Sequence, residues 1–584
     1  MDSNCESTGA SIVDDLNRAG VERGAFLALT MARGVGLALA VPAGWSRPIA
    51  DEHPVEIVRR VEASLRPRWV LWGRDATRLL VEAGVRITKC WDIAAVQRLL
   101  VGGWHTDPAR AWAELHDLAI DDLPVVAPVD LFTQPDDLDH NDEPVRADGY
   151  LRPEWLAEDF TWTTVRLARW AQLAAEVAAL QDTRLGELVD RPRARSVARS
   201  ESAAEVLCAE LSIEGLPMDR AVAESIVESF IGPRPQTEVE AAEQRRARDA
   251  DVLRHSSNAA CDLRNPAQVK SLLRGIGVEL PDTRAWRLEA IRDSHPLIEA
   301  LLEWRKAERM ATTFGYGWLD ENLGADSRLR GEWSGCDGAA GRMTASAGLH
   351  NMPAHLRSAV IAGPDHVFVR ADLGQIEPRI LAAVSGDRAL AKATIADDMY
   401  QPVAEQLAVD RATAKVAVLG AMYGQTTGHG AAALRGLELA YPVAMRFLTD
   451  ADLAGQVARD IRTYGGRLIR MGSDRSAELS DRDSRSRAAA RGRYGRNAMV
   501  QGAAAEFFKV WAVTVRSRAA SLDARIVLCL HDELLVHVPK EHGVAVARVL
   551  IDCLDDAARH WAPDDTVKFV ADVSVIDRWS DSKS

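Results

Sequence analysis

Apolar positions recur at two different spacings along this chain, and the changes of spacing mark its elements. Near the start, residues 25–30 and 35–41 are short apolar runs split by a glycine-containing turn, which predicts two paired strands. Residues 69–72 predict another strand. Residues 93–100 and 165–180 carry helical spacing. Residues 130–144 are rich in aspartate and proline and predict a surface loop. Residues 191–196, Arg-Pro-Arg-Ala-Arg-Ser, predict a linker. After it, 202–211 and 220–230 read as helices around Gly215-Leu-Pro, and 237–254 as a long polar helix. Asn265 followed by Pro266 predicts a capped helix start, and a further helix runs over 296–314. Residues 366–372 alternate like a strand that Asp372 closes. A helix follows from near Ile376, with Pro378 tolerated in its first turn. Residues 526–538 predict a β-hairpin with His531, Asp532 and Glu533 at its tight turn. There is no internal repeat.

At 584 residues and 47% hydrophobic content, the chain is long enough for more than one domain with ordinary cores. The first residues are polar and acidic, unlike a signal peptide, and no apolar run spans a bilayer. The cysteines are 7, scattered, and never spaced C-x-x-C, which points to a reduced cytoplasmic protein without a zinc site. The net charge of -14 argues against nucleic acid until its distribution is considered. Acids dominate residues 107–159, whereas Arg485, Arg487, Arg491, Arg493 and Arg496 are close together with no acid among them. Such a strip can hold phosphates while another region carries the negative excess.

A hairpin beside the strand of residues 366–372 would bring Asp372 and Asp532 together. Either aspartate alone reads first as an ordinary turn residue. As neighbours they repel unless cations lie between them, and two Mg²⁺ ions, or Mn²⁺ in their place, would serve. The middle stretch supports this. Arg411, Lys415, Leu419 and Tyr423 are spaced by four and share one helix face. The positions between them (Val416, Ala417, Val418, Ala421 and Met422) are apolar and predict a buried helix. Lysine is scarce here, so Lys415 suggests a point charge for a phosphate, with Arg411 as a second contact. Leu419 and Tyr423 would lie under a base.

These stretches, D-x-x-Q-I-E-x-R, R-x3-K-x7-Y-G and H-D-E, resemble the polymerase motifs of family A DNA polymerases, the bacterial DNA polymerase I family. The likeness runs in the same order from about Glu205 to the C-terminus. Gly341-Arg342 with Leu349-His-Asn351-Met-Pro353 resembles the family's primer-template segment. Arg493, Asn497 and Gln501 resemble its minor-groove helix, where contacts check pair shape rather than sequence. The resemblance implies that Asp372, Asp532 and the carbonyl of Leu373 bind metal. It makes Glu533 a nearby acid of lesser importance, and has Lys415 and Arg411 hold the triphosphate. His531, Arg342 and Asn351 would contact DNA, Gln375 and Arg379 would position substrate and primer, and Glu377 would exclude a ribose 2′-hydroxyl. Two positions depart from the pattern, and the stretch between Tyr400 and Arg411 is shorter than usual. Leu419 stands where Phe or Tyr is usual, and Tyr400 where a His is usual, which predicts weakened dNTP binding.

The implied architecture is multidomain α/β and α+β. A ribonuclease-H-like 3′-5′ exonuclease-type domain occupies residues 1–190, and a right-hand polymerase domain occupies 191–584. Its thumb is about 200–330, its palm about 331–390 and 500–584, and its fingers about 391–499. No 5′ nuclease domain is expected. In the front domain, Trp72-Gly-Arg-Asp75 and Cys90-Trp-Asp92 resemble the second proofreading motif, and Glu158-Asp159 with Thr163 the third. The first motif needs Asp-x-Glu on the opening strand, but residues 24–50 contain no carboxylate, so proofreading is expected to be lost. The expected partners are primer-template DNA and dNTPs, with no membrane, for a nucleoid-associated monomer. Two alternatives remain: a single-subunit RNA polymerase, which Glu377 argues against, and a non-catalytic DNA-binding or scaffold protein descended from a polymerase.

Overall fold

In the computed structural model, the alternating runs near the start become a 5-stranded sheet. Its strands are β1 (Phe26–Ala32), β2 (Gly36–Ala40), β3 (Ser46–Ile49), β4 (Arg68–Leu71) and β5 (Cys90–Asp92). The order is β3-β2-β1-β4-β5. The first three pair antiparallel, while β4 and β5 continue parallel to β1. Strand alternation sends the side chains to two cores. Leu27, Leu29, Leu37 and Leu39 face Ile57, Val58 and Val61 of helix α1 (Pro54–Leu65). Ala28, Ala38 and Ala40 face Ala171, Ala174 and Ala178, and this seam of small residues lets a long helix lie close on the sheet. Helices α2 (Arg74–Glu82) and α3 (Ile93–Val101) follow β4 and β5, and the long helix is α4 (Thr164–Glu187).

The structure describes residues 12–51, 53–104, 106–125, 142–157, 160–256, 260–424, 431–472, 481–562, 564 and 566–583. Most of the expected loop at 130–144 and the acids Glu158 and Asp159 lie outside them. The expected linker is a correction. Helix α5 (Ala194–Glu214) already begins inside it, and Ala194 is buried. Arg191 donates Nε to the Thr463 carbonyl at 2.8 Å. Arg191 and Arg195 are spent on backbone carbonyls and Arg193 lies over the Tyr464 ring, while proline is tolerated just outside a helix start.

The chain divides into two units. One comprises Met1–Ile213, Trp333–Thr344 and Val369–Val575; the other comprises Glu214–Glu332, Ala345–Phe368 and Ile576–Ser584. The second is mainly helical. Its helices Arg220–Ile231, Glu238–Leu253, Pro266–Gly275 and Pro296–Thr313 match the expected positions. Asn265 caps as expected, its Oδ1 accepting from Ala267 N at 3.0 Å. No helix among the described residues is long and apolar enough to cross a membrane.

The first unit also holds a 4-stranded sheet. Strand β6 (Arg342–Ala345) precedes its first strand, β7 (His366–Leu373). Helices α6 (Ile376–Ser385), α7 (Tyr400–Leu407), α8 (Arg411–Tyr423), α9 (Pro442–Gln456) and α10 (Asp481–Arg518) come next. Then come the hairpin strands β8 (Arg525–Cys529) and β9 (Glu533–Pro539) and the edge strand β10 (Ala571–Ile576). The sheet order is β8-β9-β7-β10. Helix α10 lies unusually close to α9. A Cβ added at Gly492 would meet Asp452 Oδ1 at 1.9 Å, and one at Gly455 the Arg491 carbonyl at 2.4 Å. Only glycine admits that approach.

Candidate active site

The turn between β8 and β9 fixes the geometry. Leu530 N donates to the Glu533 carbonyl at 2.8 Å, and Glu533 N returns to the Leu530 carbonyl at 3.2 Å. That closes a hairpin on His531 and Asp532. Leu373 N, at the end of β7, donates to the Asp532 carbonyl at 2.8 Å. The two acid-bearing strand ends are therefore tied backbone to backbone, although 159 positions separate Asp372 from Asp532 in the chain (532 − 372 − 1).

The electrostatics agree. Burial, followed by the charges of Asp372 and Glu533, pushes the Asp532 carboxyl up to about 6. Burial also raises Asp372, against the pull of Arg370. Burial is the first cause of both shifts, and a cation held beside the two carboxylates would relieve them. The site's donors are hard oxygens, the carboxylates of Asp372 and Asp532 and the backbone carbonyls beside them. That suits Mg²⁺, which takes one or two carboxylates and fills the remaining positions with water and substrate phosphate.

Glu377 occupies the first turn of α6. Its Oε1 accepts from Arg342 Nη2 at 2.8 Å and its Oε2 from the Tyr423 hydroxyl at 3.0 Å. Both carboxylate oxygens thus have a partner that holds the side chain in place. Arg342, Glu377, Gln501, His531 and Asp532 line one cavity of about 80 Å³. Burial and the nearby Arg342 charge push the His531 imidazole down, favouring its neutral form.

Helix α8 presents Arg411, Lys415, Leu419 and Tyr423 as expected, and Asp410 caps it by accepting from Thr413 N at 2.9 Å. Lys415 is exposed. Arg411 pairs with Asp398, and its guanidinium lies 5.7 Å from the Tyr400 ring centroid. Burial, with the Glu377 charge next, pushes the Tyr400 phenol up to about 12, so it stays a neutral donor. The helix ends at Gly424, whose φ of 69° is left-handed and suits glycine. A Cβ there would meet Arg493 Cγ at 2.9 Å, which brings α8 against α10. Asn497 and Gln501 are half-buried on α10 and Arg493 is exposed.

Several expectations need correction. Val416 is 57% exposed, so α8 is less buried than its apolar letters imply. Part of the arginine strip of α10 is turned to the protein. Arg491 donates to the Gly455 carbonyl at 3.2 Å, and Arg496 is buried against α9. Arg379 is 0% exposed and cannot touch DNA. Its guanidinium serves the carbonyls of Gly374, Thr394, Lys568, Ala396 and Asp397. It also donates to Gln375 Oε1 at 3.2 Å. That oxygen further accepts from Met399 N at 3.3 Å, which holds Gln375 in its left-handed conformation, φ 47°. Gln375 and Arg379 brace the turn after β7. Asn351 is exposed and belongs to the second unit. The sequence reading also missed Arg370, which bonds both Asp372 and Glu533. The signal was present, since a lone arginine two positions before Asp372 interrupts an apolar strand.

In the front sheet, Asp75 is exposed on α2. Asp92 is 2% exposed and caps α3, accepting from Ala95 N at 2.8 Å. Burial, with the Glu205 charge next, pushes its carboxyl up to about 7. Thr163 caps α4, accepting from Arg166 N at 3.2 Å.

A sequence model of DNA polymerase family A matches residues 263–581. The thermostable DNA polymerase I of Thermus aquaticus is 28% identical over 302 residues, 47% of this chain and 36% of that protein. DNA polymerase I of Chloroflexus aurantiacus is 29% identical over 308 residues, 47% of this chain and 31% of that protein. The match thus spans about a third of the length of these curated relatives. Among solved structures, the POL domain of Pol1 from M. smegmatis, in complex with DNA primer-template and dNTP, superimposes with a TM-score of 0.67. It shares 20% identity, and the overlap covers 98% of each chain, so the likeness is one of fold.

Proposed function

Because the chain belongs to DNA polymerase family A, we propose that it is a DNA-templated DNA polymerase, adding dNMP to a primer 3′-hydroxyl. The reading rests on one observation above the others. The Leu373-to-Asp532 backbone bond at 2.8 Å ties together the strand ends that carry Asp372 and Asp532.

Asp372, Asp532 and the Leu373 carbonyl would hold two Mg²⁺ ions, with Glu533 nearby. Bound there, such ions would make a primer hydroxyl more acidic and would neutralise charge on the triphosphate and the leaving pyrophosphate. The chain's own residues do the rest. Lys415 and Arg411 project from one helix face to hold phosphates, and Lys415 can give a proton to the departing pyrophosphate. Asp398 keeps Arg411 beside Tyr400, so phosphate meets a guanidinium and a neutral phenol together. Glu377, clamped by Arg342 and Tyr423, blocks the space of a ribose 2′-hydroxyl. His531 and Arg342 approach the primer end, and Arg493, Asn497 and Gln501 track the minor groove.

In this reading residues 200–330 form the thumb, supported from residue 214 onward by the separate unit containing Glu214–Glu332, whereas residues 200–213 fall in the first unit. Residues 1–190 form a degenerate exonuclease-like domain of ribonuclease-H-like topology. Its support is the β3-β2-β1-β4-β5 order and the absence of any carboxylate from residues 24–50.

Primer extension with Mg²⁺ and the four dNTPs, beside Asp532→Ala, tests the proposal. Templated extension by the native chain and none by the variant is expected. Equal extension by both, or rNTP incorporation as ready as dNTP, would refute it.

A further inference from the structure

Arg370 has no part in the reaction as described, yet it grips the carboxylates on which that reaction depends. It sits on β7 two residues before Asp372, so both side chains leave the strand on the same face. Strand β7 lies between β9 and β10, which lets one guanidinium reach across three strands. Its Nε donates to Glu533 Oε1 at 2.8 Å and its Nη2 to Asp372 Oδ2 at 2.5 Å. Its Nη1 stands 3.9 Å from Asp572 Oδ2 on β10.

These contacts are not equivalent. The side chains of Arg370 and Glu533 are 6% and 7% exposed, whereas that of Asp372 is 36% exposed. The Glu533 contact is a buried anchor, and the Asp372 contact opens to solvent. A guanidinium fork and a divalent cation seek the same carboxylate lone pairs. A fixed positive charge that close also opposes the approach of a second cation.

We propose that Arg370 is a positioning residue that serves as the counter-ion of Asp372 in the metal-free protein and yields this carboxylate to the incoming divalent cation, while keeping its hold on Glu533. The inference rests on the metal-binding reading given above. It makes the acid pair tolerable without metal, and it makes metal binding by the free protein weaker than the carboxylates alone would give.

The test is Mn²⁺ binding to the full chain without DNA or nucleotide, followed by electron paramagnetic resonance. Arg370→Gln removes the competing charge and is expected to bind Mn²⁺ about 10-fold tighter, the scale of one lost charge-assisted bond. Arg370→Lys keeps the charge but not the fork and is expected to fall between them. Should the Gln variant fail to fold, the Lys variant decides alone. Unchanged or weaker Mn²⁺ binding by a folded Arg370 variant would overturn the inference. Asp532→Asn separates the two readings. If it lowers Mn²⁺ affinity while the Arg370 variants leave it unchanged, only this inference falls. If it leaves the affinity unchanged, the metal reading falls and takes this inference with it.

Discussion

The two sheets of the first unit both carry an acid at a strand end, and they treat it in opposite ways. At the end of β7, the Asp372 side chain is 36% exposed, and Asp532 faces it from a hairpin turn. At the end of β5, Asp92 is 2% exposed and spends an oxygen on the backbone of α3. Both Asp532 and Asp92 are pushed up, by burial first and a second carboxylate next. A raised carboxyl therefore does not mark an active site by itself. What separates the two is access and company. The β7 acid is open to solvent, and its neighbour Asp532 lines a cavity with the polar side chains of Arg342, Glu377, Gln501 and His531. The β5 acid is enclosed, with Arg98 and Arg74 countering Glu205 beside it.

The largest effect should come from the open pair. Asp532→Asn keeps the shape of the turn and removes a charge, and primer extension should fall by ~10³-fold or more, the scale of losing a main electrostatic partner of the transition state. Single-turnover extension with excess enzyme would measure it. A loss under about 10-fold would place Asp532 with Asp92, as an acid of structure rather than chemistry. Lys415→Ala comes next. It pairs with no carboxylate among the described residues, and kcat/KM for dNTP should fall by ~10²-fold, consistent with one general acid and phosphate contact. Rescue of most of that loss by Lys415→Arg would show that charge, and not proton donation, carries the effect.

The sequence was informative about period and poor about direction. The front strands, the capped helix after Asn265, the β7 strand and the acid-bearing hairpin were all legible, because each is a local pattern of apolar spacing and turn chemistry. Arg379 was not. Four positions after Gln375, it reads like any polar helix residue, and only the fold brings the carbonyls of Thr394, Ala396, Asp397 and Lys568 around it. Arg491 and Arg496 fail for the same reason, since the close approach at Gly492 that turns them toward α9 involves a segment distant in sequence. Arg370 shows in the sequence only as a lone charge within an apolar strand, which marks the residue but not what it binds. Its partner Glu533 lies on another strand, and nothing local announces the pairing.

A smaller effect is expected at the nucleotide face. Leu419 offers no ring to a base or sugar. Leu419→Tyr should tighten dNTP binding by about 5-fold, near 1 kcal/mol of stacking. The change should appear in the dNTP dissociation constant from pre-steady-state extension, with the maximal rate little altered. An unchanged dissociation constant would mean that the half-buried Leu419 position does not face the base.

The smallest effect on activity, and the sharpest probe of the comparison, belongs to Asp92. Native protein should not degrade single-stranded DNA with Mg²⁺ or Mn²⁺, so neither Asp75→Ala nor Asp92→Asn has nuclease activity to lose. Asparagine can still cap α3, and extension should be unchanged. Stability should respond instead. The folded Asp92 carboxyl is held at about 7, whereas in the unfolded chain it ionises near 4. Between those values the folded state binds the extra proton, so stability falls as pH rises, by up to ~1.4 kcal/mol per pH unit for this group. Below about 4 both states are protonated, and above about 7 both are ionised, so the difference is confined to that window. Asp92→Asn should flatten the slope of unfolding free energy there, measured by urea titration at several pH values. Native nuclease activity that Asp92→Asn abolishes would erase the contrast between the two sheets, because the enclosed acid would then be doing chemistry after all.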